Sequence, residues 1–250
     1  MTAYGYRLPV WLPLLLWLVV WEIIGHAGII DLIPPFSSVL AALGEVVTTR
    51  SFAEAVGVTL QAFGIGMALS LIVGITVGIL MARIRVVGDV MGMWINIFES
   101  SPISAVVPLL LAVIGFGMQT MVVTVFLFSV WVIALDTQVG VRHANQSLVE
   151  MARSFGASKR DLYLKIIFWA ALPEILAGIR LGLIRGVRGV IIGQLLIAIV
   201  GMGFLLETYS RRFLMPELWA TVMIIFAFAY GLSEAVGLLE RRVARYASAR

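Results

Sequence analysis

The run Val56-Gly-Val-Thr-Leu-Gln-Ala-Phe-Gly-Ile-Gly-Met-Ala-Leu-Ser-Leu-Ile-Val-Gly-Ile-Thr-Val-Gly-Ile-Leu-Met-Ala82 holds 27 residues and no charge. A helix crossing a bilayer needs about 20 mostly apolar residues. A membrane barrel strand is only about 10 residues long and alternates in polarity. The run therefore predicts a transmembrane helix. Gly66, Ser70, Gly74 and Gly78 recur every fourth residue within it. Small residues at that spacing form a stripe that lets a second helix come close.

Working outward, five more runs meet the same requirement, at about residues 8–30, 90–114, 121–141, 172–200 and 218–239. The first is interrupted by Glu22 and His26, and the second by Ser100-Ser101-Pro102. The first run exceeds the 7–15 residues of a signal-peptide core and no A-x-A site follows, so it reads as a retained helix. The chain as a whole agrees: 61% of its 250 residues are hydrophobic and 13% charged, with a mean hydropathy of +1.05. Soluble domains are about 45–50% apolar and about 25% charged, which excludes a soluble enzyme. With no cysteine, a disulfide framework, a Cys-based zinc site, an iron–sulfur cluster and a thiol nucleophile are excluded as well.

The positions of the 18 basic residues give the expected sidedness. Twelve, among them Arg83, Arg142, Lys159, Arg160 and Arg241, fall at one set of span ends. Arg50, Arg211 and Arg212 fall at the other, and Arg180, Arg185 and Arg188 lie inside the fifth run. Both termini are then cytoplasmic. The net charge of +4 is topological and does not form a nucleic-acid patch. The expected fold is an all-α integral membrane protein of about six transmembrane helices. One membrane domain covers residues 1–250, with its core at 54–241 and no internal repeat or linker. Between the first two spans, Val39, Leu40, Leu43, Val46 and Val47 recur at helical spacing. That predicts an amphipathic helix, either on the outer interface or packed over the bundle.

The longest polar stretch, residues 143–173, separates the fourth and fifth spans. It reads as two short helices around Gly156, where a left-handed helix end favours glycine. Ser147 with Glu150, and Ser158 with Asp161, stand at capping-box spacing, with Asp in the Glu place in the second pair. On an α-helical period the second helix turns Leu162, Ile166 and Trp169 to one side and Lys159, Arg160 and Asp161 to water. Such an element serves equally as a structured loop or as a docking site for a partner.

The run from Glu150 to Ser158, followed by Ile166 and Ala-Ala-Leu-Pro173, resembles the EAA motif of permease subunits of bacterial ATP-binding-cassette importers. Met151 departs from the motif's middle alanine and Trp169 from a frequent proline, while Pro173 matches a second proline of one subgroup. That subgroup is the nitrate/sulfonate/taurine-type permeases, and the resemblance extends along most of the chain. It includes Trp21-Glu22, Ile33-Pro34-Pro35-Phe36-Ser37, Ser101-Pro102-Ile103-Ser104, Gly115-Phe116-Gly117, Gly178-Ile-Arg180-Leu-Gly182 and Leu239-Glu240-Arg241-Arg242.

The resemblance implies a type I importer (MetI-like) permease fold in the cell inner membrane. It implies a set of partners too: a second permease copy as a homodimer, two cytoplasmic ATPase subunits and an extracytoplasmic solute-binding protein. ATPase coupling then falls to the loop at 143–169, through Glu150, Ala152, Ser154, Phe155, Gly156, Ala157, Ser158 and Ile166. The chain itself lacks a G-x-x-x-x-G-K-[ST] loop, an H-E-x-x-H and a G-x-S-x-G. It is expected to be non-enzymatic and to bind no cofactor, with ATP and Mg used by the partner ATPase. A secondary transporter or channel is the alternative, but no inverted repeat or paired-acid relay supports it.

Charge inside a bilayer marks pairing or function. Arg185 and Arg188 therefore stand out as pathway candidates, together with Glu99, Asp136 and Gln194. The arginines either pair with Glu99, Asp136 or Glu207, or face a water-filled cavity and attract an anionic substrate such as a sulfonate, a nitrate-like ion or a carboxylate. Glu99, Asp136 and Gln194 read equally as hydrogen-bond partners between helices. The glycines at 178, 182, 186, 189 and 193 share one face of the fifth span. Tight helix packing explains that face, and a pathway or dimer contact is the alternative.

Overall fold

In a computed structural model, which describes residues 2–3, 6–7, 11–143, 146–197 and 201–248, the regular elements are helices apart from a two-residue pairing of Thr2–Ala3 with Tyr6–Arg7. Leu8, Val200 and Arg250, which figure in the expectations above, lie outside the described residues. Helix α1 covers Trp11–Ala27 and α2 covers Phe36–Thr48. The uncharged run becomes α3, Arg50–Arg83, of 34 residues. It starts on a side-chain cap, in which the Thr49 hydroxyl accepts from the Phe52 N–H at 3.2 Å.

Helix α4 (Arg85–Ser100) and α5 (Val106–Ile114) meet through a 3₁₀ turn at Ile103–Ala105. Their axes differ by 84°, so the expected third span is a bent pair. Pro102 has no N–H with which to continue the α4 ladder, and Ser101 is already extended with φ −94° and ψ 146°. Helix α6 is Met118–Arg142, α7 is Gln146–Ser154 and α8 is the short Lys159–Asp161. A π-helical turn at Leu162–Ile167 leads into α9, Phe168–Ile197. Helices α10 (Met202–Arg211) and α11 (Met215–Ser248) complete the chain.

Among the described residues four helices are long and apolar enough to cross a membrane, and the bent pair makes a fifth span if counted as one. The sixth expected crossing is the shorter apolar segment Leu12–Ala27. It ends at Gly28, which takes φ +61°, a left-handed position that glycine adopts without penalty.

The centre of the molecule is α6, with α3 on one side and α9 on the other. The stripe on α3 explains the first contact. A Cβ on Gly74 would stand 2.9 Å from an Ile133 methyl, and one on Gly78 would stand 2.5 Å from the Ala134 carbonyl. The α9 glycines make the second contact, because Cβ atoms at Gly182 and Gly186 would meet Ile133 at 2.8 Å and the Ser129 hydroxyl at 2.7 Å. Ser129 donates to the Gly182 carbonyl at 2.9 Å, joining the two backbones directly. The order of these contacts makes α3 parallel to α6 and α9 antiparallel to it. Phe63, Met67, Val125, Ile133, Leu183 and Val190 fill the buried core between them. Packing inside the chain thus occupies the glycine face of α9.

Helix α2 packs against α11 and α1, with Val39, Ala42 and Val46 buried and Leu40 and Val47 exposed. Its first residues are held from a distance. Pro35 precedes the helix and has no capping side chain, so the Glu22 carboxylate accepts from the Ser37 N–H (2.9 Å) and hydroxyl (2.6 Å). Trp21 Nε1 donates to the Pro34 carbonyl at 3.0 Å and Trp219 Nε1 to the Leu32 carbonyl at 2.9 Å. The prolines cross Gly25 so closely that a Cβ there would lie 2.4 Å from the Pro35 nitrogen.

Candidate functional site

The loop between α6 and α9 is built by local hydrogen bonds. At the end of α7 the Ala157 N–H donates to the Ala152 carbonyl (3.0 Å) and the Gly156 N–H to the Arg153 carbonyl (2.9 Å). This double closure needs a left-handed residue after the helix, and Gly156 has φ +77°. Space is not the constraint, because a Cβ at Gly156 would touch nothing within 4 Å. Ser158 then opens the second helix: its hydroxyl accepts from the Asp161 N–H at 3.1 Å and donates to the Asp161 carboxylate at 2.6 Å. Lys165 closes on the same carboxylate at 2.7 Å. Lys165 and the Ser158 hydroxyl together hold the Asp161 carboxyl below the usual aspartate range.

The inner side of this loop is apolar. Ala152, Leu162 and Ile167 are buried together, with Val141, Ala157, Ile166 and Ala170 packed against them. The outer side presents Glu150, Ser154 and an almost bare Phe155, 86% exposed, beside Met151 at 52%. Two expectations change here. Helix α7 begins at Gln146, so Ser147 lies in its first turn and does not precede it as a cap. Trp169 is 60% exposed and does not join Leu162 and Ile166 on the inner side. The π-helical turn is the cause. Its wider spacing puts Leu162 and Ile167, five apart, on one face and rotates later residues away.

The polar groups of the membrane helices separate into several kinds. Gln194 is fully buried and knits three elements together. Its amide donates to the Thr59 hydroxyl at 2.9 Å and its carbonyl accepts from the Gly203 N–H at 3.1 Å. Thr59 also accepts from the Met202 N–H at 3.0 Å. Arg180 reaches from α9 to α11, donating to the Ser233 hydroxyl at 3.0 Å, with Glu234 at 3.5 Å. Glu207 pairs with Arg211 one turn along α10 at 2.6 Å, away from the α9 arginines.

Arg185 forms an ion pair with Glu99. Glu99 stands one residue before the end of α4, where free carbonyls favour a cation. The end of α4 is anchored on α6 by stacking of Phe98 on Trp131 (4.6 Å between ring centres) and by Ile95 buried against Met81 and Ala134. Asp136 is half-buried under the backbone of α9, where a Cβ on Gly178 would come within 2.7 Å of its own. It feels the charges of Arg185, Glu174 and Glu99. Arg188 is exposed and makes no hydrogen bond or ion pair among the described residues. An open groove along α4, lined by Gly88, Asp89, Gly92, Asn96, Ser100 and Ser101, extends this polar surface. Sequence reading passed over Asp89 and Asn96. The signal that finds them is their three- and four-residue spacing with Gly92 and Ser100 inside an apolar run. Among the described residues no cluster of His, Asp and Glu could hold a metal ion.

Comparison with known proteins places these features in a family. Residues 74–245 match the family described as binding-protein-dependent transport system inner membrane component. The taurine transport system permease protein of Escherichia coli (strain K12) is 26% identical over 233 residues, covering 90% of this chain and 85% of that protein. The putative aliphatic sulfonates transport permease protein of Bacillus subtilis (strain 168) is 24% identical, covering 97% and 88%. The nitrate import permease protein of a Synechocystis species is 25% identical, covering 74% and 67%. In fold, the chain is similar to the inward-facing MetNI methionine ABC transporter, with a TM-score of 0.63 and 19% identity over 76% of this chain and 94% of that one. An amino acid ABC transporter solved with histidines gives a TM-score of 0.65 at 18% identity, over 80% and 97%. The family match spans more than half of the chain, from within α3 to within α11: this multi-pass chain belongs to the binding-protein-dependent transport system inner membrane components.

Proposed function

We propose that this chain forms the translocation pathway of an importer for a small organic anion and is driven by a separate ATPase that docks on the loop at 143–169. The observation that carries this reading is the construction of the loop. Its Ser158 cap, its glycine closure and its apolar underside are satisfied within the chain, yet Phe155 and Met151 are left exposed on the outer side. Large exposed apolar side chains on a rigid, preformed element are what a protein partner buries. The loop also joins α6 to α9, so a force applied to it reaches the core directly.

Two copies of the chain, two ATPase subunits and an extracytoplasmic binding protein complete the proposed assembly. Both termini and the loop face the cytoplasm. The anion preference rests on the exposed Arg188 in α9 and on relatives named for taurine, nitrate and aliphatic sulfonates. The chain supplies the pathway and performs no chemistry of its own. Affinity purification of the tagged chain from detergent-solubilised membranes tests the reading. An ATPase subunit should co-purify with the wild type and be lost with Phe155→Asp, which leaves the Ser158 cap and the Gly156 closure in place. Purification of the intact wild-type chain without an ATPase subunit would sink the proposal.

A further inference from the structure

Two arginines three residues apart in α9 have different surroundings. Arg185 has a counter-ion in Glu99 and sits at the carbonyl end of α4. Arg188 has neither, and no described side chain compensates it. It stands in an exposed line with Leu181 and Leu195, seven residues to either side. That line is about 120° round the helix from the glycine face that α6 covers. The position is deep: about 30 Å from the start of α9 and roughly 14 Å from its last described turn. The first distance is beyond the reach of an arginine side chain toward that interface. A guanidinium held against hydrocarbon is strongly unfavourable, so an open face that carries one meets water or a compensating charge.

The acids of the region lie to one side. Glu99 pairs with Arg185, Asp136 lies under Gly178, and Glu174 packs against Gly140, all at the level of Arg185 or nearer the loop. Arg188 lies beyond them, one turn further from the loop. We propose that Arg188 is the cation which the translocation pathway offers to a small anionic solute, while Arg185 is retained as the counter-ion of Glu99 and positions the end of α4. The inference rests on the permease reading above. It assigns substrate charge to one residue and a positioning role to its neighbour.

Because the chain has no cysteine, a single introduced thiol reports the local water and field. Ile192→Cys places one a turn beyond Arg188, on the same side of α9. In membrane vesicles carrying the full complex, it is exposed to an anionic sulfonatoethyl and a cationic trimethylammonioethyl methanethiosulfonate. Expected is reaction with both reagents and a preference for the anionic one. That preference should fall by roughly tenfold on adding Arg188→Gln, the order of a local steering effect. Arg188→Lys should keep most of it.

Arg185→Gln should leave the preference in place while lowering the amount of assembled complex, and adding Glu99→Gln should recover assembly. A thiol that reacts with neither reagent, or a preference indifferent to Arg188→Gln, overturns the inference. So does a preference abolished in the assembled double variant of Glu99 and Arg185. Failure of the permease reading appears separately, as absence of the ATPase subunit from the same vesicles.

Discussion

At Gly156 one backbone angle holds two helices in register. A β-branched residue at φ +77° is strained by about 1–2 kcal/mol, although nothing nearby would clash with it. Gly156→Val is therefore expected to impair transport and ATPase coupling while the protein still inserts and accumulates. Gly156→Asn, which tolerates the left-handed region, should retain most of the coupling. Uptake and ATP hydrolysis in the same vesicles check both. The glycine was legible in the sequence because its conformational role is local. Gln194 was not. A glutamine in an apolar helix reads alike as a pathway ligand or a structural clamp. Its hydrogen bonds to Thr59, 135 residues away, and to the N–H of Gly203 exist only once α3, α9 and α10 are assembled. The difference between Arg185 and Arg188 was hidden for the same reason: it depends on where the end of α4 comes to rest.

Among the elements, the small-residue stripes were legible and their partners were not. Periodicity says which face of α3 or α9 approaches something, and only the fold says that both approach α6. The contacts give a paired experiment. Gly78→Leu must push against the Ala134 backbone and Thr137, whereas Gly64→Leu meets open space. Overpacking of this kind costs about 1–3 kcal/mol where a side chain can still shift, and a backbone oxygen shifts least. The first variant should lower the thermal midpoint of the purified protein by several degrees and the second should leave it unchanged, as read by tryptophan fluorescence or a size-exclusion melt. The π-helical turn at Leu162–Ile167 shows the limit of periodic reasoning. An assumed α period carries Trp169 inward, and one widened turn carries it out. The bend after α4 lies between these cases. Ser100-Ser101-Pro102 announced a break, but not that the two halves would differ in direction by 84°.

At the scale of the whole molecule, composition alone identified the solvent and the class, because too few charges were present to cover a soluble surface. The number of full crossings needed three dimensions. A run with a proline and two serines became a bent pair, and the apolar run at the start became a shorter helix that ends at Gly28, after which Pro34 and Pro35 cross back over Gly25. The proposed sidedness rests on the basic residues and can be tested directly. Alkaline phosphatase fused after Arg250 should be inactive, and phosphatase inserted between Arg212 and Met215 should be active. Active enzyme at the terminus and inactive enzyme at the insertion would invert the proposed orientation.

The bracketing of α6 by α3 and α9 has a mechanical meaning. Where glycine lets two backbones touch, helices interlock and resist sliding, so the three behave as one stiff block. The 143–169 loop is fastened to two members of that block at the same end, so under the proposed function it would serve as a handle. A push on it by the ATPase would be passed to α6 and α9 together and would tilt the block. With α9 spanning 30 residues, or about 45 Å, a tilt of about 5° would displace its far end by roughly 4 Å. A shift of that size is comparable to the width of a small solute. Stiffness at the centre would thus turn a modest motion at one membrane face into an opening or a closure near the other.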